Sequence, residues 1–293
     1  MQLVSKIQFK NYETGEFSSI SPRTAEETFL LIENFPWSEQ RHLTSVQLTC
    51  PSVTIERNKD SFLKIGPYFN GKFCLYLYEN GKLYQRPIQT LADCKETLVD
   101  YYNSKDISPE FEKISLAVNM RKYFFTAPFE YRVTAKHILS FLLFPEIVMT
   151  IPLLCMLLAT FLSSPEKPRA PAIVAFLLLF IFLIGINLYL FFNYYFYSKS
   201  LYLKVAKGQD DFYFGREDQY KQYSKNNIAD IVVYKHRNQR VNWSYYAVFE
   251  INFKNGDQII FPSLLLKEHL MDKKFAGKRI TNRHTFFPTI PGR

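Results

Sequence analysis

Two apolar runs near the middle of this 293-residue chain constrain everything around them. Residues 171–192 read PAIVAFLLLFIFLIGINLYLFF, 22 residues with no charge and one amide, Asn187. A hydrocarbon core of roughly 30 Å is crossed by about 20 helical residues, so this run predicts a membrane helix. The first run, 138–162, has 25 residues but carries Pro145, Glu146 and Pro152. A charged residue at mid-membrane costs about 2.5–3.5 kcal/mol on the insertion scale. Two readings of Glu146 follow. In one it marks the cytoplasmic start of a short helix, which Pro145 favours because proline fits a first turn. In the other it faces a partner helix or a wet cavity and serves transport or sensing.

The connecting residues 163–170, SSPEKPRA, are short and polar, so the two runs predict an antiparallel helical hairpin over 135–193. Seven basic residues flank its outer ends (Arg121, Lys122, Arg132, Lys136, Lys199, Lys204 and Lys207), against Lys167 and Arg169 in the loop. The positive-inside rule then predicts a multi-pass protein of the inner (plasma) membrane with both termini cytoplasmic. Tyr123, Phe124, Phe125, Phe129 and Tyr131 before the hairpin, and Tyr194 to Tyr197 after it, suit one interfacial belt. The N-terminus lacks the apolar stretch of a signal peptide. Cys50, Cys74, Cys94 and Cys155 form no C-x-x-C pair and read as free thiols.

Residues 1–105 carry the pattern of an α+β soluble domain, an antiparallel sheet with two helices, followed by a juxtamembrane linker at 106–134. Strands are predicted at 3–11, 16–20, 44–49, 52–57, 62–65, 73–78 and 82–87, with hairpin signals at Asn70-Gly71 and Asn80-Gly81. Ser21-Pro22 is read as the cap and first position of one helix, and a second runs from 90 to about 102. No glycine-rich phosphate loop, metal-ligand spacing or nucleophile motif appears, so the sequence implies neither an enzyme nor a cofactor or metal. PSVTIER and FLKIGPYFNGKFCLYLY resemble a strand pattern of small bacterial α+β domains, toxin-immunity proteins among them. That resemblance implies a domain that binds another protein and performs no reaction.

Charge is unevenly placed. Residues 1–134 balance 16 Lys+Arg with 16 Asp+Glu, whereas 199–293 hold 17 against 9. A basic excess in one piece points to an anionic partner. That piece reads as nearly all β, with strands at 201–206, 212–214, 219–224, 228–234, 245–252 and 258–261. A short helix capped by Ser263 is predicted over 264–270, and residues 275–293 show no period. Lys235, His236, Arg237 and Arg240 crowd one loop with Trp243 and Tyr245 just after. Lys273 and Lys274 begin a second cluster in the tail. The segment YSKNNIADIVVYKHR, with its I-x-x-I strand at Ile228 and Ile231, resembles bacterial pleckstrin-homology-like domains. The resemblance implies a small curved β barrel over 199–293 used for recognition.

Taken together, these features predict a non-enzymatic, membrane-anchored binding or adaptor protein. Lys235, His236, Arg237, Arg240, Lys273 and Lys274 are the candidate lipid- or anion-binding residues, and Glu146 and Asn187 the intramembrane polar ones. Membrane lipids and another protein are the expected partners, with self-association open and nucleic acid not expected, since no recognition motif accompanies the charge. A toxin-neutralising immunity protein and a small transporter or sensor using Glu146 are the alternatives.

Overall fold

The computed structural model describes residues 1–41, 51–114, 120–141, 151–152, 155, 158–159, 170–216, 219–238, 240–241 and 243–290. Within the helix Ala170–Ser198, the side chains described are those of Val174, Leu178 and the residues from 185 onward. Sheet predominates and helices are few. The chain divides into two compact units, one of Met1–Pro128 with Ala206–Gln209, the other of Phe129–Val205 with Asp210–Arg293.

The first unit is built on a seven-stranded antiparallel sheet. Its strands are β1 (Leu3–Gln8), β2 (Ser18–Arg23), β3 (Ser52–Asn58), β4 (Ser61–Pro67), β5 (Phe73–Glu79), β6 (Lys82–Ile88) and β7 (Glu112–Ile114), in the order β2-β1-β3-β4-β5-β6-β7. Alternation sends Val53, Ile55, Leu63, Ile65, Leu75 and Leu77 to one face, where Ile32 and Leu98 from the helices Ala25–Glu33 and Lys95–Tyr102 complete a core. The opposite face carries a cross-strand row, Lys6, Thr54, Lys64 and Tyr76, paired in register. Both lysines are buried beneath Phe17 and the chain at 123–126. Lys6 Nζ reaches Glu56 Oε2 at 3.1 Å, and Lys64 Nζ donates to Tyr123 O at 3.0 Å. Buried ammonium groups are tolerated only when they are paired in this way. Glu16 is likewise buried, and its carboxylate accepts from the amides of Gly208 and Gln209, both at 2.8 Å.

The first helix starts later than Ser21-Pro22 suggests. Those residues finish β2, and Thr24 is the cap, accepting from Glu27 N while Glu27 Oε2 accepts from Thr24 N. This reciprocal pair is a capping box, a stronger helix start than a lone serine. The expected strand at 44–49 lies outside the described residues.

The second unit holds two four-stranded sheets. One is β11-β10-β9-β8, from β8 (Glu130–Tyr131), β9 (Leu201–Lys204), β10 (Asp211–Arg216) and β11 (Gln219–Ser224). The other is β14-β13-β12-β15, from β12 (Ile228–Lys235), β13 (Ala247–Phe253), β14 (Gln258–Pro262) and β15 (Ile280–His284). Leu203, Phe212, Ile231, Val233, Phe249, Ile251 and Phe261 form the core together with Met271 and Phe275 of the helix Glu268–Lys274 and the turn after it.

The transmembrane hairpin is not supported. Among the described residues no helix is long and apolar enough to cross a membrane. Val174 and Leu178 are exposed, and in the C-terminal turns of Ala170–Ser198 one face is covered by protein while Tyr189, Phe192 and Phe196 stay exposed. Leu190, Phe191 and Tyr194 pack against Trp243, Tyr246, Val248 and Leu264. Asn187, expected inside a membrane, is buried here, and its backbone carbonyl accepts from Tyr246 Oη at 3.1 Å. An all-round apolar helix is as compatible with a protein interior as with lipid, and periodicity cannot separate the two. The inner-membrane, multi-pass placement with cytoplasmic termini loses its basis with the hairpin. Glu146 and most of the expected first helix lie outside the described residues.

Candidate functional site

The site follows from how β12 ends. Ile231 and Val233 are buried, while Tyr234 and Lys235 emerge half-buried at the edge of the core. β15 lies parallel to β12 with Ile231 opposite Ile280, Val233 opposite Asn282 and Lys235 opposite His284. Ile231 N donates to Arg279 O at 2.9 Å, and Thr285 N donates to Lys235 O at 3.1 Å, so the register is held at both ends. Parallel partners share a face at each pairing, which puts Lys235 and His284 side by side.

An open cleft of about 380 Å³ forms there, lined by Lys235, His236, Arg237, Ser244, Tyr245, Glu268, Asn282 and His284. Lys235 Nζ lies 2.5 Å from Glu268 Oε1, so one of its cations is already balanced by a carboxylate. Arg237 is exposed, and among the described residues it has no carboxylate partner. The His236 ring is oriented by Asn238, whose backbone N and O lie 3.0 and 3.1 Å from Nδ1. The cleft thus offers cationic and N–H donors (Lys235, Arg237, the two imidazoles and the Asn282 amide). Donors of this kind form their strongest hydrogen bonds with an anionic acceptor.

Lys235, His236 and Arg237 of the predicted cluster are therefore brought together. Arg240 is exposed farther along the same loop, its amide donating to Asn238 Oδ1 at 2.9 Å. The tail lysines go elsewhere. Lys273 is exposed on the helix Glu268–Lys274, and Lys274 is buried with Nζ 4.3 Å from the Phe129 ring centre. Arg283 points to the other face, where it donates to Tyr234 Oη at 3.3 Å and the Tyr234 hydroxyl donates to Glu250. Sequence reasoning missed Asn282 and His284, because no period marks 275–293, and it missed Glu268, which stands in the predicted 264–270 helix and pairs with Lys235 only through the fold.

Residues 130–274 match the family described as PH domain. The C-terminal module is PH-like. No curated protein matches the chain, and no solved structure does. The match spans β8 to the helix Glu268–Lys274 of the PH-like module and ends before β15. One wall of the cleft, with Asn282 and His284, therefore lies beyond it. A second and more apolar cleft of about 260 Å³ lies in the same module, lined by Tyr131, His137, Phe141, the 264–267 segment, His269 and Leu270. Among the described residues no cluster of His, Cys, Asp and Glu could hold a metal ion.

Proposed function

We propose that the chain is a binding or adaptor protein whose PH-like module takes an anionic group, of the phosphate kind borne by lipid headgroups, into the Lys235–His284 cleft. A PH domain suggests a binding or adaptor role. The observation that carries the ligand class is the convergence of Lys235, His236, Arg237, Asn282 and His284 on one open cleft. The basic excess of residues 199–293 acts in the same direction, since it draws anions toward the module over a Debye length of about 8 Å. In this reading the first unit engages a protein partner and the cleft supplies the second attachment.

The test is calorimetric titration of the full chain with inorganic phosphate and with glycerol phosphate, a soluble headgroup, at low salt. Arg237→Glu and His284→Asn are each expected to weaken binding about tenfold, the loss of one charge-assisted contact. Absence of heat with both ligands, or affinities indifferent to both substitutions, would remove the assignment.

A further inference from the structure

Beside the cleft, the chain after β15 holds two aromatic rings outward on a braced turn. Thr285 N donates to Lys235 O on the near side. On the far side Tyr194 Oη donates to Pro288 O at 2.6 Å, Ile290 N donates to Asn193 Oδ1 at 3.1 Å, and Ile290 itself is buried. Between these anchors Phe286 is 64% exposed and Phe287 37% exposed. Their rings meet edge to face at 4.6 Å and lean on Trp243, which is 7% exposed, at 6.2 and 5.9 Å. Phe286 also touches the His236 ring at 5.8 Å. A fixed backbone that displays its largest apolar side chains to water is holding them for something other than its own core.

We infer that Phe286 and Phe287 form a wedge that enters the headgroup layer of an anionic lipid bilayer while the neighbouring cleft and loop engage its charge. The inference rests on the anion-binding reading of the cleft and extends it to the source of the anion. Charge complementarity selects the occupant. Lys235, His236, Arg237 and Arg240 lie in the strand end and loop beside the wedge, and Glu268 is the carboxylate within the cleft, held by Lys235. Aromatic rings prefer the interfacial depth, and basic residues near an anionic leaflet add attraction that salt screens. Two rings on a protruding turn are far too small for a stable protein interface, which buries upwards of about 1,200 Å² with matched shape. A bilayer demands no such match. Both rings lie beyond the segment that matches the PH family.

Cosedimentation of the full chain with phosphatidylcholine vesicles, with and without phosphatidylserine, tests the wedge. The parent chain is expected to bind the serine-containing vesicles more tightly and to lose that preference in high salt. The double substitution Phe286→Ala, Phe287→Ala should lower partitioning about tenfold. It should leave the titration with glycerol phosphate unchanged. In a separate chain, Phe286→Trp should shift its emission to the blue on binding and be quenched by brominated acyl chains. A parent chain that ignores vesicles, unchanged partitioning of the double variant, or an unquenched Trp at 286 would each overturn the wedge. If vesicle binding and quenching persist while glycerol phosphate binds nowhere, the wedge stands and the cleft assignment fails.

Discussion

Lys235 and His284 end two parallel strands side by side, and the amide that follows His284 closes the pair by donating to the Lys235 carbonyl at 3.1 Å. The relationship joins a strand inside the PH-like segment to one beyond it, and the cleft opens where they end. Glu268 competes there for Lys235 at 2.5 Å. Glu268→Gln should therefore raise affinity for inorganic phosphate about fivefold, equivalent to about 1 kcal/mol for a half-exposed pair. Titration at low and at high salt checks this, and a fall in affinity would mean that Glu268 positions the lysine and does not compete for it.

Tyr246 and Asn187 make the second structural junction of the module. The buried Tyr246 hydroxyl donates to the Asn187 carbonyl, and its ring meets Tyr194 edge to face at 5.2 Å. Tyr246→Phe keeps the ring and removes the donor, so the expected loss is about 1–2 kcal/mol. Tyr246→Ala also loses the packing and should cost about 3–5 kcal/mol. Chemical denaturation followed by Trp243 fluorescence in a Trp37→Phe chain separates the two, and an unchanged stability in Tyr246→Phe would show that the hydrogen bond contributes nothing.

Much of the β framework was legible because its signals are local. Asn80 and Gly81 both take positive φ, 50° and 79°, in the turn joining β5 to β6, as the dipeptide requires. The alternation of 73–78 sorts Leu75 and Leu77 from Cys74 and Tyr76. What was illegible depends on distant partners. The apolar run 171–192 has the same look in lipid and in protein, and only Trp243, Tyr246 and Leu264 reveal what covers its last turns. β15 pairs with a strand some fifty residues earlier, exposes four of its five residues and has no period to display. Of the candidate site, the loop residues Lys235, His236 and Arg237 could be read as a charge cluster. Asn282 and His284 needed the parallel pairing.

The start of the first helix offers a direct comparison between the residue the sequence suggested and the one the structure uses. Thr24→Ala removes the side-chain acceptor for Glu27 N and loosens the return bond, so a loss of about 1 kcal/mol is expected in the first unit. Ser21→Ala deletes a half-buried residue's hydroxyl that donates only to the adjacent Pro22 carbonyl within β2, and should change stability by less than about 0.5 kcal/mol. Equal effects in urea denaturation would place the cap at neither residue.

The first unit should weaken in alkali, and the direction can be worked out from its buried acids. Burial pushes the Cys94 thiol up to about 12, the Cys74 thiol up to about 11 and the Tyr101 hydroxyl up to about 12, from ordinary values of 9.0 for the thiols and 10.0 for the phenol. Between the ordinary and the raised value, the folded state keeps a proton that the unfolded state has released. Stability is then complete below about pH 9 and falls as pH rises, each fully engaged group adding a slope of up to about 1.4 kcal/mol per pH unit. Lys6 opposes them. Burial lowers its value below 10.5 despite Glu56, so the unfolded state holds that proton longer and the Lys6 contribution to stability grows with pH in the window just under 10.5. Three raised acids outweigh one lowered base, and the net slope is downward. Urea midpoints followed by Trp37 fluorescence in a Trp243→Phe chain, taken from pH 8 to 11, should decline. Cys94→Ala should flatten that decline while lowering the starting value, because the slope reports the proton and the offset reports the lost packing. A decline as steep in Cys94→Ala as in the parent would show that the buried thiol keeps no proton that unfolding releases.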